Sequence, residues 1–187
     1  RIVSANITLL GWSLGGLVAL DYLSYLPNSI KKLILVTSNA CFCKKQTWPY
    51  GLDIAVLDSF AMQLEQDYKK TVDKFMALQM FGADDYRQSL KILKASIANH
   101  PVPSIEALRN GLAILKNCDL TAKLYRIEQP VLMISGEHDR LMPYQAAEAM
   151  QPLFKNAQCE MIQGAGHAPF ISHPKQFMQV INEFKQE

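Results

Sequence analysis

The sequence predicts an α/β fold, a mostly parallel sheet with flanking helices that is interrupted by an all-helical insertion. Near the start, two short apolar runs at residues 7–10 and 32–37 are separated by a helical pattern that begins at Leu14. This strand–helix–strand order is typical of a parallel sheet. The order resumes after Pro130, with strands predicted over 131–135 and 158–162 and helices over 144–154 and 175–184.

The middle of the chain has a different pattern. Helical periodicity fills residues 44–126, hereafter the helical insertion, and no convincing strand occurs there. We expect helices over 52–66, 70–81, 84–98 and 104–115. The sequence therefore predicts a core made of residues 1–43 and 127–187, with 44–126 as a helical lid. The insertion carries 12 basic and 9 acidic residues, against 7 and 8 in the remainder.

Composition excludes several classes of protein. The 187 residues are 49% hydrophobic and 19% charged, with a net charge of +2. That balance excludes intrinsic disorder and gives no electrostatic reason to expect nucleic acid or an anionic membrane surface as a partner. No apolar run approaches the roughly 18 residues of a membrane span.

The cysteines and the first residues bear on the compartment. Cys41, Cys43, Cys118 and Cys159 are too scattered for a disulfide framework, and Cys41-Phe42-Cys43 lacks the spacing of a zinc site. Residues 1–6 carry no secretory pattern. We therefore expect reduced thiols, no metal and a cytoplasmic location.

A G-x-S-x-G motif at residues 11–15 (GWSLG) supplies a candidate nucleophile, Ser13. The motif falls between a predicted buried strand and a predicted helix, where a nucleophile elbow forms. Because strand and helix converge closely there, we expect Gly11 and Gly15 to be required for their lack of a side chain, and Gly16 to allow tight packing of the helix. The alternative is a phosphate-binding turn at a helix N-terminus, although no G-x-G-x-x-G or G-K-[ST] pattern supports it.

A serine nucleophile needs a base, and the base needs an orienting acid. Candidate acids Glu137 and Asp139 directly follow the strand at 131–135, and Asp139 is preferred because it lies further beyond the strand tip. His167 follows the strand at 158–162 in a loop of small residues, and is preferred as the base. The other histidines are His100, His138 and His173. A metal site built from histidines and Glu137 lacks any H-x-x-x-H spacing.

Three segments carry a narrower resemblance. They are residues 11–19 (GWSLGGLVA), Cys41-Phe42 with Trp48-Pro49, and residues 165–174 (AGHAPFISHP). In these the chain resembles the α/β-hydrolase superfamily and, within it, the pimeloyl-acyl-carrier-protein methyl ester esterases of biotin synthesis. The likeness extends over essentially the whole chain, including the length of the helical insertion.

The resemblance implies a cofactor-independent serine carboxylesterase acting on a pimeloyl methyl ester attached to acyl carrier protein. Ser13 would be nucleophile, Asp139 orienting acid, His167 base, and the Leu14 N–H an oxyanion donor. Residues implied to line the acyl channel are Trp12, Phe75 and Leu141. Residues implied to meet the carrier are Lys70, Lys74, Arg87 and Lys91. Core packing and a solvated helix surface are the respective alternatives.

The chain differs from the relatives in the segment before the nucleophile elbow. Relatives have several strands and a His-Gly-Trp loop before the elbow, and the loop completes the oxyanion hole; neither precedes Gly11 here. We therefore expect an open sheet edge, an uncovered apolar face and a missing oxyanion donor, which a longer protein or a partner chain would supply. The full-length protein is expected to be a monomer. Rival functions are a general short-acyl carboxylesterase, a C–C bond hydrolase, and a non-catalytic chain that binds acyl carrier protein.

Overall fold

The computed structural model describes residues 7–186. The opening residues, on which the secretory-pattern expectation depends, lie outside that range. Within it the strands are β1 (Thr8–Trp12), β2 (Lys32–Val36), β3 (Val131–Gly136) and β4 (Ala157–Ile162). The α-helices of the same range are α1 (Leu14–Tyr25), α2 (Ile54–Gln66), α3 (Tyr68–Met80), α4 (Tyr86–Ala98), α5 (Ile105–Asn117), α6 (Tyr144–Met150), α7 (Pro169–Ser172) and α8 (Pro174–Gln186).

The strands form one parallel sheet in the order β1-β2-β3-β4. The register pairs Trp12 with Val36, Val36 with Ile134, and Gly136 with Ile162. All four carboxyl ends therefore meet at one edge, where ligand sites of open parallel sheets form. The predicted α/β class is confirmed. Among the described strands β1 pairs with β2 alone, and Leu10 on it is exposed.

The core lies on both faces of the sheet, because successive strand residues point to opposite sides. Leu33 and Leu35 of β2 pack with α1, whereas Ile34 and Val36 pack with α8. Both central strands are almost wholly buried, which explains why they appear in the sequence as continuous apolar runs.

Four helices, α2 to α5, occupy the helical insertion within one or two residues of the expected bounds. Two short elements were not predicted: a 3₁₀ helix at Thr121–Arg126 and the one-turn helix α7. A separate apolar cluster joins the insertion to the core, since Met76 and Met80 of α3 and Leu93 of α4 bury against Ala168. This cluster fixes α3 and α4 beside the loop that follows β4. No helix in residues 7–186 is long and apolar enough to cross a membrane.

Candidate active site

Ser13 occupies the sharp turn between β1 and α1. Its backbone lies at φ 51° and ψ −122°, a conformation that costs a non-glycine residue roughly 1–3 kcal/mol. Two contacts with the end of β2 hold the turn. The Ser13 N–H donates to the carbonyl oxygen of Val36 at 2.9 Å, and the Ser38 hydroxyl donates to the Ser13 carbonyl oxygen at 2.7 Å. Leu14 is the first residue of α1, so its backbone N–H has no acceptor within the helix.

The glycines around Ser13 differ in how much space they have. A Cβ atom on Gly11 would lie 2.5 Å from the Cα of Gly16, and one on Gly16 would lie 2.3 Å from the Ser38 hydroxyl. Nothing lies within 4 Å of the same position on Gly15. The expectation that close packing requires glycine is therefore confirmed at Gly11 and Gly16 and wrong at Gly15. Strand and helix converge on the Gly11–Gly16 side of the turn, and Gly15 faces outward.

Three of the candidate residues form one chain of hydrogen-bonding distances. His167 Nε2 lies 2.9 Å from Ser13 Oγ, and His167 Nδ1 lies 2.7 Å from Asp139 Oδ2. His167 and Asp139 are both buried, at 2% and 7% exposed. When the Asp139 carboxylate accepts from Nδ1–H of His167, the proton of the neutral imidazole is on Nδ1. Nε2 is then free to accept from the Ser13 hydroxyl, as a general base must.

The two candidate acids make different contacts in the structure. Asp139 Oδ1 accepts from the backbone N–H groups of Leu141 and Met142 at 2.8 and 3.0 Å, so its carboxylate is fixed with Oδ2 toward His167. Glu137 instead accepts from the N–H of Gly164 at 2.8 Å. Glu137 therefore anchors the loop that carries the histidine, and Asp139 is the acid that contacts the imidazole.

The remaining histidines lie elsewhere. His138 packs against Gly82, His173 contacts Ser172 just before α8, and His100 contacts the Ser96 carbonyl near the end of α4. Within the described range, no cluster of three or more His, Cys, Asp or Glu side chains could hold a metal ion.

The cysteines near the end of β2 are buried thiols. Burial, helped by the Asp119 carboxylate, raises the pKa of Cys41 to about 11, and burial also raises the pKa of Cys43. Cys41 Sγ contacts the Cys43 carbonyl at 3.2 Å. Because the thiolate is the reactive species, neither group has the character of a nucleophile.

Sequence reasoning did not identify the groups that hold the backbone of His167. The His167 carbonyl oxygen accepts from Trp12 Nε1 and from Thr37 Oγ1, both at 2.8 Å. The His167 N–H donates to the Gln79 carbonyl oxygen at 2.9 Å. The signal that could have pointed to Thr37 is a polar run, Thr37-Ser38-Asn39, directly after the buried strand β2.

The residues expected to line an acyl channel lie in different surroundings. Trp12 packs edge-on against Phe170, with ring centroids 5.1 Å apart, and beside the His167 ring. Leu141 is buried next to Asp139. Phe75 of α3 packs on Phe60 of α2 at 5.1 Å. Trp12 and Leu141 thus adjoin the triad residues, whereas Phe75 lies within the insertion.

The four basic residues expected to meet a carrier protein are all exposed. Lys70 and Lys74 lie on α3, and Arg87 and Lys91 lie on α4. The two helices pack together and are bridged by the ion pair between Asp73 and Lys94 at 2.7 Å. Lys70 and Lys74 line a shallow surface groove that also contains Lys69, Asp67 and Asp73. The structure therefore groups these cations in pairs on two adjoining helices.

Comparison with known proteins identifies the family. The alpha/beta hydrolase fold family matches residues 4–174. The chain belongs to this family. It is 42% identical over 175 residues to the pimeloyl-[acyl-carrier protein] methyl ester esterase of Serratia marcescens, covering 94% of this chain and 68% of that protein. It is 41% identical over 179 residues to the protein of the same name from Photobacterium profundum, covering 96% and 70%.

Solved structures agree on the fold of this α/β hydrolase. An esterase from Exiguobacterium antarcticum superposes with a TM-score of 0.88 at 23% identity, covering 98% of this chain and 68% of that chain. A bromoperoxidase from Bacillus anthracis gives 0.86 at 23% identity, covering 97% and 68%. At these identities the likeness establishes the fold alone.

Proposed function

We propose that this α/β hydrolase is a serine carboxylesterase that hydrolyses the methyl ester of pimeloyl-acyl carrier protein. The observation that carries the proposal is the hydrogen-bonded chain Ser13–His167–Asp139, in a sequence about 40% identical to esterases of that name. The reaction needs no metal or organic cofactor. The cytoplasm, where acyl carrier protein would be met, is the proposed location.

In the first half-reaction His167 Nε2 takes the proton from Ser13 Oγ as that oxygen bonds to the ester carbonyl carbon. The carbonyl oxygen becomes an oxyanion, and the N–H of Leu14, at the first position of α1, donates to it. When the carbonyl re-forms, the bond to the methoxy oxygen breaks, and that oxygen takes the proton from His167 to leave as methanol. Asp139 stabilises the imidazolium throughout and keeps its own charge.

In the second half-reaction water repeats the sequence. His167 takes a proton from water while the water oxygen bonds to the acyl carbon. The bond to Ser13 Oγ then breaks, and Ser13 regains its proton from His167. The products are free enzyme and the carrier-bound pimeloyl carboxylic acid.

We propose the exposed cations of α3 and α4 as the docking surface for the acidic carrier protein and its phosphopantetheine phosphate. Lys70 and Lys74 are one helical turn apart, as are Arg87 and Lys91, so each pair lies on one helix face. Charge complementarity of this kind governs the encounter rate and its salt dependence. Three of the four are lysines, whose point charge attracts phosphate without bidentate geometry.

Turnover tests the proposal. The assay compares pimeloyl methyl ester on acyl carrier protein with a free short-chain ester, using the full-length enzyme. The carrier-bound ester should have the higher kcat/KM, and adding salt should remove much of that preference. Equal turnover with no carrier preference would instead favour a general esterase, and carrier binding without any turnover would favour a non-catalytic binding protein.

Charge reversal tests the docking surface. We expect the double variant Lys70→Glu with Arg87→Glu to raise KM for the carrier-bound ester by about tenfold or more and to leave the free ester unaffected. Lys175→Glu with Lys185→Glu is the matched control, because both are exposed lysines of α8, outside the insertion, and the double change alters the net charge equally. An equal effect of both changes on KM would contradict docking on α3 and α4.

A further inference from the structure

The backbone of His167 accepts hydrogen bonds from residues at two strand ends and donates one to the helical insertion. Trp12 is the last residue of β1, and Thr37 directly follows β2. Their Nε1 and Oγ1 atoms both lie 2.8 Å from the His167 carbonyl oxygen, which therefore has both lone pairs engaged. The His167 N–H is engaged by Gln79.

The backbone of Thr37 is strained. It lies at φ 43°, a left-handed conformation in which a β-branched residue is a genuine outlier. The Thr37 side chain is 1% exposed, and its N–H donates to the carbonyl oxygen of Ile134 at 2.7 Å. Glycine fits this backbone without strain, so the threonine must be explained by its side chain.

The Thr37 hydroxyl makes one contact that accounts for the residue. It reaches across 130 positions of sequence to donate to the His167 carbonyl oxygen. We propose that Thr37 is a positioning residue, which sets the distance between His167 and Ser13 by fixing the backbone that carries the imidazole. This inference rests on the proposed serine mechanism, and it adds a residue that does not itself touch the reacting atoms.

Two distances explain why small movements at Thr37 matter. His167 Nε2 lies 2.9 Å from Ser13 Oγ, and Nδ1 lies 2.7 Å from Asp139 Oδ2. Moving the imidazole toward one partner therefore lengthens its contact with the other. A displacement of about 1 Å at a reacting group can cost on the order of 100-fold in rate. Since Trp12 keeps its own bond to the carbonyl, losing Thr37 Oγ1 should permit only part of that displacement.

Three variants separate positioning from folding. Thr37→Val keeps the shape and removes the donor, Thr37→Ser keeps the donor, and Thr37→Ala removes the donor with less backbone crowding. We expect Val and Ala to lower kcat about tenfold with little change in KM, and Ser to restore it to within about twofold of the wild type. Thr71→Val is the matched control, because Thr71 is a buried threonine of α3 and should leave kcat unchanged.

Two further readouts distinguish this role from general loosening of the fold. The rate of Ser13 labelling by a fluorophosphonate should fall in parallel with kcat, and Thr37→Ala should remain slow at temperatures where circular dichroism shows it to be fully folded. Wild-type activity in both Val and Ala, or a Ser variant as slow as Val, would overturn the inference. A wild-type enzyme that the probe does not label would instead overturn the proposed function.

Discussion

The backbone N–H of His167 donates to the carbonyl oxygen of Gln79 at 2.9 Å. Gln79 belongs to α3, so this bond ties the loop after β4 to the helical insertion. The next residue of α3, Met80, is buried in the cluster that includes Ala168, which follows His167. The helical insertion therefore holds the histidine loop in place directly, through one backbone hydrogen bond and one apolar cluster.

Truncating Met80 should weaken both the fold and the reaction. Met80→Ala leaves a cavity under the histidine loop, so we expect a loss of about 2–4 kcal/mol in unfolding free energy and a several-fold lower kcat. Met62→Ala is the control, because Met62 lies exposed on α2. Urea unfolding and ester turnover are measured for both variants, and equal stability of the two would contradict the packing of Met80 against Ala168.

The two acids after β3 should respond very differently to amide substitution. Asp139→Asn removes the carboxylate that orients the imidazole, and the loss in kcat should be on the order of 10³–10⁴. In Glu137→Gln the side-chain oxygen can still accept from Gly164, so kcat should stay within about threefold of the wild type. Hydrolysis of a free chromogenic ester measures both. A larger loss in Glu137→Gln would reverse the assignment of the acid.

Two glycines of the elbow should differ in their tolerance of a methyl group. A Cβ on Gly11 meets backbone atoms at 2.5–2.7 Å, so Gly11→Ala should destabilise the protein by at least about 2 kcal/mol. Gly15→Ala meets nothing within 4 Å and lies in the first turn of α1, where alanine should be neutral or up to about 1 kcal/mol stabilising. Thermal unfolding distinguishes the variants; comparable losses of Tm would contradict the asymmetry of the turn.

The ion pair between Lys45 and Asp119 should make part of the stability depend on pH. Burial alone raises the pKa of Asp119, but hydrogen bonds from Lys45 and Thr121 outweigh it, and the pKa is lowered in the fold. The pair therefore stabilises the protein above about pH 4, the unfolded-state pKa, and the stabilisation is lost as the pH falls through the folded-state pKa.

Asp119→Asn tests that linkage. Because both side chains are partly exposed, we expect it to cost only about 0.5–1 kcal/mol at pH 7. The difference from the wild type should shrink as the pH drops below about 4. Urea unfolding across this pH range measures it, and a cost that stays constant down to about pH 2.5 would show that the charge of Asp119 contributes nothing.

The sequence was sufficient for the parts of the site that follow strand ends. Ser13, Asp139 and His167 each come shortly after an apolar run, and parallel strands bring their carboxyl ends to one edge, so their meeting could be predicted. The helices of the insertion could be placed because their periodicity is strong, and because Gly82 separates α3 from α4 and the prolines at 101 and 103 separate α4 from α5. Between α2 and α3 only Asp67 intervenes.

Contacts made to backbone atoms could not be predicted in the same way. Thr37 donates to the carbonyl oxygen of His167, and the carbonyl oxygen of Gln79 accepts from the His167 N–H. Because every residue has a backbone carbonyl and nearly every residue has an N–H, no side-chain pattern in the sequence identifies such contacts. The preference for Asp139 over Glu137 came from position along the loop. The deciding contacts, from Leu141 and Met142, depend on a local turn that the sequence does not specify. The expectation for Gly15 is wrong because the G-x-S-x-G motif does not show that this glycine of α1 faces away from the strand.

Covalent labelling of Ser13 tests most directly whether this serine is an activated nucleophile. Intact mass is measured before and after a fluorophosphonate probe, on the wild type and on Ser13→Ala, with folding verified by circular dichroism. We expect one adduct on the full-length wild-type enzyme and none on the variant. A folded full-length enzyme that acquires no adduct, or a Ser13→Ala variant that is labelled as readily as the wild type, would contradict the claim that Ser13 is an activated nucleophile.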